Sequence, residues 1–232
     1  MWLLIIFGAL VLVLAIFVAR AVIILRAQVH QYRDFWRAQN QLTAPKEALL
    51  YVALGDSAAQ GVGASRPEKG YVWLFARHVE KQTGRPVHIV NLSVSGAKIR
   101  DLIDDQLPKL ATLPKKADII TVDIGANNMR GFEPRQFESE FEEMLGQLPG
   151  GALVADIPYF GPDFHHHGGK QAKQANKLLE RLWPQHTAVK AGLFALTKGN
   201  DALSYYGADL FHPSDKSYRL WALAFQRAYK QR

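Results

Sequence analysis

The sequence contains no cysteine. That absence excludes disulfide bonds, thiolate metal sites and a cysteine nucleophile, but it leaves the compartment open because cysteine-free proteins occur on both sides of a membrane. Long polar or biased tracts are absent as well. Apolar residues make up 48% of the chain and charged residues 21%, a composition that is typical of a globular protein.

The net charge of +7 is concentrated near the N-terminus. Residues 1–46 hold five basic residues and one acidic residue, whereas the rest of the chain holds 23 basic and 20 acidic residues. This excess follows an apolar segment, where it would contact anionic lipid headgroups. Because no basic stripe with interleaved aromatic residues follows, we expect no nucleic-acid partner.

A long uncharged run lies at the N-terminus. Trp2 to Ala19 contains no charged residue, and Val22 to Leu25 continue the apolar pattern after Arg20. As a helix, a run of about 18 residues spans roughly 27 Å, which is close to the hydrocarbon thickness of a bilayer. We therefore predict a transmembrane anchor over residues 1–26, a juxtamembrane stalk and linker over residues 27–47, and one globular domain over residues 48–232.

Two alternatives to the anchor are a cleaved signal peptide and a buried core helix. Ala19-Arg20-Ala21 fits a small-x-small cleavage pattern, but no Lys or Arg precedes the apolar run, as a signal peptide normally requires. A terminal helix that is apolar on every face suits lipid better than a protein core. The pattern favours the anchor.

From residue 48 onward, short apolar runs alternate with segments of helical spacing. Strands are predicted over residues 48–54, 87–94, 117–124, 152–160 and 191–197, and helices over residues 71–83, 99–110, 137–148, 170–183 and 215–229. Continuous apolar strands that alternate with helices indicate a parallel sheet buried on both faces. The predicted fold is an α/β protein, a three-layer α/β/α sandwich preceded by one transmembrane helix.

Small polar residues follow the first three predicted strands. The first strand ends in Gly55-Asp56-Ser57, the second in Ser93-Val94-Ser95-Gly96 and the third in Gly125-Ala126-Asn127-Asn128. Ligands of open parallel sheets bind at the carboxyl ends of the strands. We therefore expect these three segments to meet in one crevice.

Ser57 is the candidate nucleophile in that crevice, and it needs a base because an unassisted hydroxyl reacts poorly at neutral pH. Among eight histidines, His212 lies in a loop just before the last predicted helix, three residues after Asp209. In a tight turn the Asp209 carboxylate can accept the imidazole Nδ1–H, which fixes the tautomer and stabilises the imidazolium. Candidate donors to an oxyanion are the backbone N–H groups of Ser57 and Gly96 and the side-chain amide of Asn127.

These segments, in this order, resemble the four sequence blocks of the SGNH (GDSL-type) hydrolase family: Gly55-Asp56-Ser57 with Gly61, Gly96, Gly125-Ala126-Asn127, and Asp209-x-x-His212. The resemblance covers about residues 50–230. It implies a flavodoxin-like parallel sheet and hydrolysis of carboxylic esters through an acyl-serine intermediate. By this similarity Ser57 is the nucleophile, His212 the base and Asp209 its orienting residue, while Ser57, Gly96 and Asn127 form the oxyanion hole.

One position departs from the family pattern. The third block commonly reads Gly-x-Asn-Asp, and this sequence has Asn128 where the carboxylate is usual. The departure puts in doubt what that carboxylate does, which we interpret as a supporting hydrogen bond that Asn128 replaces. The serine also lacks a Gly-x-Ser-x-Gly elbow, which argues against the ordinary α/β-hydrolase fold.

Several residues near the predicted crevice have more than one interpretation. His165-His166-His167 suggests a metal site, but consecutive histidines seldom chelate one ion, so we expect a solvated loop and no metal or cofactor. Asp118 and Asp123 flank the third strand, and we interpret them as hydrogen-bonding rather than catalytic residues. Tyr205, Tyr206 and Phe211 fit an acyl pocket and core packing equally well.

The expected function is a serine ester hydrolase, esterase-like or lipase-like, that acts on a small-molecule or lipid-like ester and is held at a membrane by its N-terminal helix. Acyl transfer or O-deacetylation on sugar or polymer hydroxyls would use the same residues, and an inactive membrane-surface binding module is a further alternative. The positive-inside rule places the basic residues after the anchor, and the domain with them, in the cytoplasm. Hydrolase domains behind an uncleaved apolar segment often face outward, so the side of the membrane stays open.

Overall fold

The computed structural model describes residues 2–159, 168–200 and 202–232. The parallel strands are β1 (Leu49–Gly55), β2 (Val87–Asn91), β3 (Ile119–Asp123), β4 (Leu153–Ala155) and β5 (Val189–Ala191). The helices are α1 (Trp2–Asn40), α2 (Ser57–Gln60), α3 (Tyr71–Thr83), α4 (Ile99–Asp101), α5 (Leu107–Ala111), α6 (Pro134–Gln147), α7 (Gly168–Leu182), α8 (Leu193–Thr197) and α9 (Asp215–Tyr229). A π-helical turn, Leu102–Gln106, joins α4 to α5.

The strands form one sheet in the order β2-β1-β3-β4-β5. Tyr51 of β1 pairs with Ile89 of β2 on one side and with Ile119 of β3 on the other, and every pairing is parallel. This strand order is that of flavodoxin-like sheets. The predicted three-layer α/β/α sandwich is confirmed.

Both faces of the sheet are buried, as the continuous apolar strands predict. Alternate residues of a strand point to opposite faces. In β1, Leu50, Val52 and Leu54 pack in the core that includes α6 and α7, whereas the odd-numbered residues face a second core with α3 and α9. The two cores fix the register of β1, and with it the place where that strand ends.

The fifth strand differs from its prediction over residues 191–197. The strand is Val189–Ala191, and residues 193–197 form the short helix α8. Asp156, just after β4, explains the early end, because its Oδ1 accepts hydrogen bonds from the backbone N–H groups of Leu193 (2.6 Å) and Phe194 (2.7 Å). The carboxylate that caps this helix is 37 residues away from Leu193 in the sequence, so the local apolar pattern does not predict the cap.

The N-terminal helix is long and apolar enough to cross a membrane by length and composition, properties that a signal sequence near the N-terminus shares. It continues to Asn40, through most of the segment predicted as a stalk and linker. Trp36 is buried in the core on the α3 side of the sheet, beside Trp73. The division of the chain at residues 26 and 47 stays a prediction.

Candidate active site

The ends of β1 and β3 meet closely because Gly55 closes β1. Its φ is +143°, and a Cβ there would lie 2.2 Å from the backbone oxygen of Asp123. That proximity lets the Asp56 N–H donate to the same oxygen at 3.2 Å. The buried amide of Gln106 holds Gly55 from the other side, accepting from its N–H (2.9 Å) and donating to its carbonyl (2.8 Å). Ser57, the first residue of α2, is thereby presented at the carboxyl edge of the sheet.

Ser57, His212 and Asp209 form a continuous hydrogen-bonded chain. His212 Nε2 lies 2.8 Å from Ser57 Oγ, and His212 Nδ1 lies 2.5 Å from Asp209 Oδ2. The second carboxylate oxygen, Asp209 Oδ1, accepts from the backbone N–H groups of Phe211 (3.1 Å) and His212 (3.0 Å). Both Ser57 and His212 are buried. The imidazole is therefore held at both nitrogens, with one nitrogen directed at the serine hydroxyl.

Two backbone features bring the histidine turn against the serine segment. Leu210 has φ +57°, a left-handed conformation that costs a non-glycine residue energy and is found at functional turns. Gly63, six residues after the serine, lies so close that a Cβ there would be 2.7 Å from the Cβ of His212. The turn and the close approach together set the position of the imidazole.

The carboxylates around this chain differ in their ionisation. Burial raises the pKa of Asp209, but the hydrogen bond and charge of His212 outweigh burial and hold that pKa below its usual value. Burial raises the pKa of Asp56 to about 6, against the opposing effect of the Ala58 N–H hydrogen bond. Burial and the neighbouring charge of Asp56 raise the pKa of Asp123 well above its usual value. Asp209 is thus the carboxylate that stays charged beside the imidazole.

The candidate oxyanion donors are arranged unequally. Asn127 lines the cavity beside Ser57, and its Nδ2 donates to Asp56 Oδ2 (3.2 Å) and to the carbonyl of Ala97 (3.0 Å). Gly96 lies in an exposed turn after β2 with φ +86° and is not among the described residues that line the cavity. Asn128, at the departure from the family pattern, accepts from the Ile99 N–H through Oδ1 at 3.1 Å. A carboxylate oxygen could accept the same bond.

A cavity opens over the serine. It has a carboxylate and amide side near Asn127 and an aromatic side formed by Tyr205, Tyr206 and Phe211, the three residues for which the sequence left two interpretations. Asp123 also lines it and accepts a hydrogen bond from Trp221 Nε1 at 3.1 Å, whereas Asp118 bonds Leu50 and Lys115 elsewhere. The other described lining residues are Asp56, Ala58, Ala126, Pro158, Tyr159, Thr197, Asn200, His212, Pro213, Ser217 and Trp221.

Sequence reasoning missed the contribution of Asp123, Trp221, Thr197 and Asn200 to this cavity. The sequence did indicate a place for Asp123 in the cavity, since Asp123 ends the third strand at the same edge of the sheet as Ser57. Within the described ranges, no three histidine or acidic residues are grouped so that they could hold a metal ion. The His165-His166-His167 segment lies outside the described residues.

Comparison with known proteins identifies the family of the chain. The model of the GDSL-like lipase/acylhydrolase family matches residues 53–220. The chain is 33% identical over 194 residues to the spore germination lipase LipC of Bacillus licheniformis, an alignment that covers 73% of this chain and 91% of the relative.

Solved structures share the fold. TesA aligns with a TM-score of 0.65 at 19% identity, over 78% of this chain and 98% of its own. Axe2, an acetylxylan esterase from Geobacillus stearothermophilus, aligns with a TM-score of 0.60 at 18% identity, over 79% and 96% of the two chains. The predicted family and the SGNH-type fold are confirmed: the chain belongs to the GDSL-like lipase/acylhydrolase family, whose members hydrolyse esters.

Proposed function

We propose that this protein is a serine esterase that cleaves carboxylic esters through an acyl-serine intermediate. The observation that supports it most is the chain of two hydrogen bonds from Asp209 through His212 to Ser57 Oγ, at 2.5 and 2.8 Å. This arrangement provides a nucleophile, a base in contact with it, and a carboxylate that orients the base. Family membership supports ester bonds as the target.

The proposed reaction has two steps. His212 Nε2 takes the proton of Ser57 as Oγ attacks the ester carbonyl, and the imidazolium then gives that proton to the departing alcohol. Water attacks the acyl-serine with His212 again as base, which releases the carboxylic acid and restores the serine. Asp209, whose pKa lies below its usual value, remains charged and stabilises the imidazolium in both steps.

The oxyanion of each tetrahedral intermediate would be stabilised by the N–H groups of Ser57 and Gly96 and by Asn127 Nδ2. Ser57 supports this role because the first N–H of a helix has no acceptor within the helix. Asn127 would exchange one of its two internal acceptors, Asp56 Oδ2 or the Ala97 carbonyl, for the oxyanion. The aromatic side of the cavity would hold the acyl group.

We further propose that α1 anchors the enzyme to a membrane. Its apolar part, Trp2 to Ala19, is exposed over the positions described, which suits lipid rather than a protein core. The opposite end of α1 is bound to the domain, so the anchor and the esterase would form one membrane-attached enzyme.

The test of the esterase proposal is hydrolysis of a graded series of esters, from acetyl to long-chain, by the full-length protein. Wild type should hydrolyse at least one part of the series, and Ser57→Ala should lower its kcat by about 10⁴-fold or more. Ser139→Ala is the matched control, since Ser139 is exposed on α6 and does not line the cavity. Equal rates for wild type and Ser57→Ala would refute the proposal.

A further inference from the structure

The C-terminal part of α1, residues 28–40, is hydrogen-bonded to the domain at each turn. The side chains that make these contacts are four residues apart, on one face of the helix: Gln28, Tyr32, Trp36 and Asn40. Asn40 exchanges two 2.8 Å hydrogen bonds with the backbone of Asn91, and Trp36 Nε1 donates to the carbonyl of Gln60 at 2.9 Å. Tyr32 and Gln28 both donate to the carbonyl of Ala64, at 2.8 and 3.1 Å. These bonds define the direction of the helix relative to the sheet.

From Asn40 toward its N-terminus, α1 runs outward beyond the carboxyl edge of the sheet. Asn91, the partner of Asn40, is the last residue of β2. Gln60, the partner of Trp36, ends α2, which begins at Ser57. Ala64, the partner of Tyr32, follows Gly63, which packs on the turn of His212. From residue 40 to residue 28 the helix therefore extends about 18 Å, from the end of β2 past the turn that holds Ser57. Residues 2–27 project beyond the edge that carries the site.

Little distance separates the domain from the apolar segment. Residues 5–20 are exposed, but Ala21, Ile24, Leu25 and Val29 are half-buried at helical spacing, so one side of α1 is already covered there. Since the apolar run ends at Leu25, a bilayer around it would begin where the domain ends. The domain would rest directly on the lipid surface, with the carboxyl edge toward the lipid.

The wall of the cavity lies at this edge. Gln28 accepts the N–H of Gly63 at 3.1 Å, and Gly63 packs directly on the turn of His212 and on Gly207, next to the cavity residue Tyr206. Outside α1, the exposed large apolar side chains among the described residues are Leu42, Val94 and Leu203. Val94 (46% exposed) lies in the turn that holds Gly96, and Leu203 (59% exposed) lies two residues before the cavity residue Tyr205. Single exposed apolar residues are ordinary, but each of these two lies within two residues of a residue of the site, Val94 near the candidate donor Gly96 and Leu203 near the cavity residue Tyr205.

We propose that the cavity takes its substrate from the bilayer, and that the substrate is an ester of a membrane amphiphile whose acyl chain enters between the aromatic residues of the cavity. This inference rests on the proposed esterase function and on the proposed membrane anchor. It assigns α1 a second role, because the helix sets the height and the direction of the site above the lipid as well as tethering the enzyme.

The test is to lift the site while keeping the hydrogen bonds that residues 28–40 make with the domain. Seven helix-forming residues inserted between Ala27 and Gln28 add about two turns, which keeps the docking face aligned and raises the domain about 10 Å. Full-length wild type and insertion variant are reconstituted in phosphatidylcholine vesicles that contain a monoacylglycerol with a fluorescent acyl chain. The same proteoliposomes are assayed with a water-soluble short-chain ester, which reports folding and basal activity. Replacing Trp2–Ala19 with leucines is the matched control, since it changes the anchor but not its register.

The insertion should lower hydrolysis of the vesicle-borne ester about tenfold or more while the soluble ester is hydrolysed within about twofold of wild type. The leucine variant should match wild type on both substrates. Equal vesicle activity with and without the insertion, or wild type that cleaves only the soluble ester, would overturn the proposal. An intact mass showing that residues 1–27 have been removed would also overturn it. Failure of wild type on both esters would instead count against the esterase function itself.

Discussion

Two carboxylates, the half-buried Asp209 and the buried Asp56, lie on either side of the Ser57–His212 pair, and their pKa values move in opposite directions. The pKa of Asp209 is lowered, because His212 and two backbone N–H groups donate to it and outweigh its burial. The pKa of Asp56 is raised to about 6, because burial outweighs the hydrogen bond from Ala58 and the charge of His212. A third acid, Asp123, lies close enough for the charge of Asp56 to raise its pKa further.

This difference separates two uses of the same side chain. A carboxylate that is charged throughout the neutral range can stabilise an imidazolium, which suits Asp209. Asp56 instead accepts hydrogen bonds from Ala58 N (2.9 Å) and Asn127 Nδ2 (3.2 Å), so it positions the residues around the serine. The comparison predicts that neutralising Asp209 harms the chemical step, whereas neutralising Asp56 mainly changes stability.

The largest effect is expected for Asp209→Asn. The amide keeps the shape of the side chain but removes its charge and favours the wrong imidazole tautomer, so kcat on a soluble ester should fall about 10³–10⁴-fold. Asp104→Asn is the matched control, since Asp104 is an exposed acid in a surface ion pair with Arg100. A loss of less than tenfold in Asp209→Asn would remove the distinction between the two carboxylates.

Asn127→Ala should have the next largest effect. Loss of one oxyanion donor typically lowers kcat about 10²–10³-fold with little change in KM, and steady-state kinetics with the same ester would measure it. The neighbouring change Asn128→Asp should leave kcat within about threefold, because a carboxylate oxygen can replace Oδ1 as acceptor of the Ile99 N–H. Equal losses at the two positions would mean that Asn127 has only a structural role.

The free energy of unfolding should depend on pH differently in wild type and Asp56→Asn. Because the pKa of Asp56 is raised to about 6 in the folded protein, the native state holds this proton between about pH 4 and 6 and the unfolded state does not. Wild type should therefore lose stability as pH rises through this window, by up to about 3 kcal/mol relative to the variant. The opposite contribution of Asp209 is common to both proteins and cancels, whereas Asp123, whose pKa the charge of Asp56 raises, acts in the same direction as Asp56. Denaturant titrations at pH 4, 5, 6 and 7 would check it, and parallel curves would contradict the raised pKa.

Among the substitutions that remove a hydrogen bond of the site, the smallest effect on kcat at neutral pH is expected for the same Asp56→Asn variant. The amide oxygen can still accept from Ala58, and the main loss is the acceptor for Asn127 Nδ2, so kcat should fall about tenfold or less. Measured with the same soluble ester, a loss as large as that of Asp209→Asn would show that both carboxylates act in the chemical step.

The sequence predicted the sheet and the position of the site because both depend on local pattern. Apolar runs identified the first four strands, and the rule that ligands bind at strand ends predicted one crevice for the segments that hold Ser57, Gly96 and Asn127. The Asp209–His212 turn was assigned from its spacing and its place before the last helix. Contacts between distant segments were not predictable. The end of β5 depends on hydrogen bonds from Leu193 and Phe194 to Asp156. Gln106, in the π-helical turn, hydrogen-bonds the backbone of Gly55. Side chains of residues 28–40 donate to backbone carbonyls that come within reach only in the folded chain.

The pKa values of the acidic residues at the site could not be predicted from the sequence either. Asp123 was interpreted as a hydrogen-bonding residue of the third strand, and it does bond Trp221, but its burial next to Asp56 follows from the tight meeting of β1 and β3 at Gly55. Leu210 has a left-handed backbone conformation and shapes the histidine turn. Leucine rarely adopts this conformation, so the residue type did not predict it.

The central claim is that Ser57 is a nucleophile activated by His212, and covalent labelling tests it most directly. Full-length protein is treated with a fluorophosphonate at neutral pH, digested and analysed by mass spectrometry to locate the adduct. We predict one adduct on Ser57, formed by wild type, lost in Ser57→Ala and slowed by orders of magnitude in His212→Ala. An adduct on another residue, or no adduct on protein that hydrolyses esters, would contradict the account.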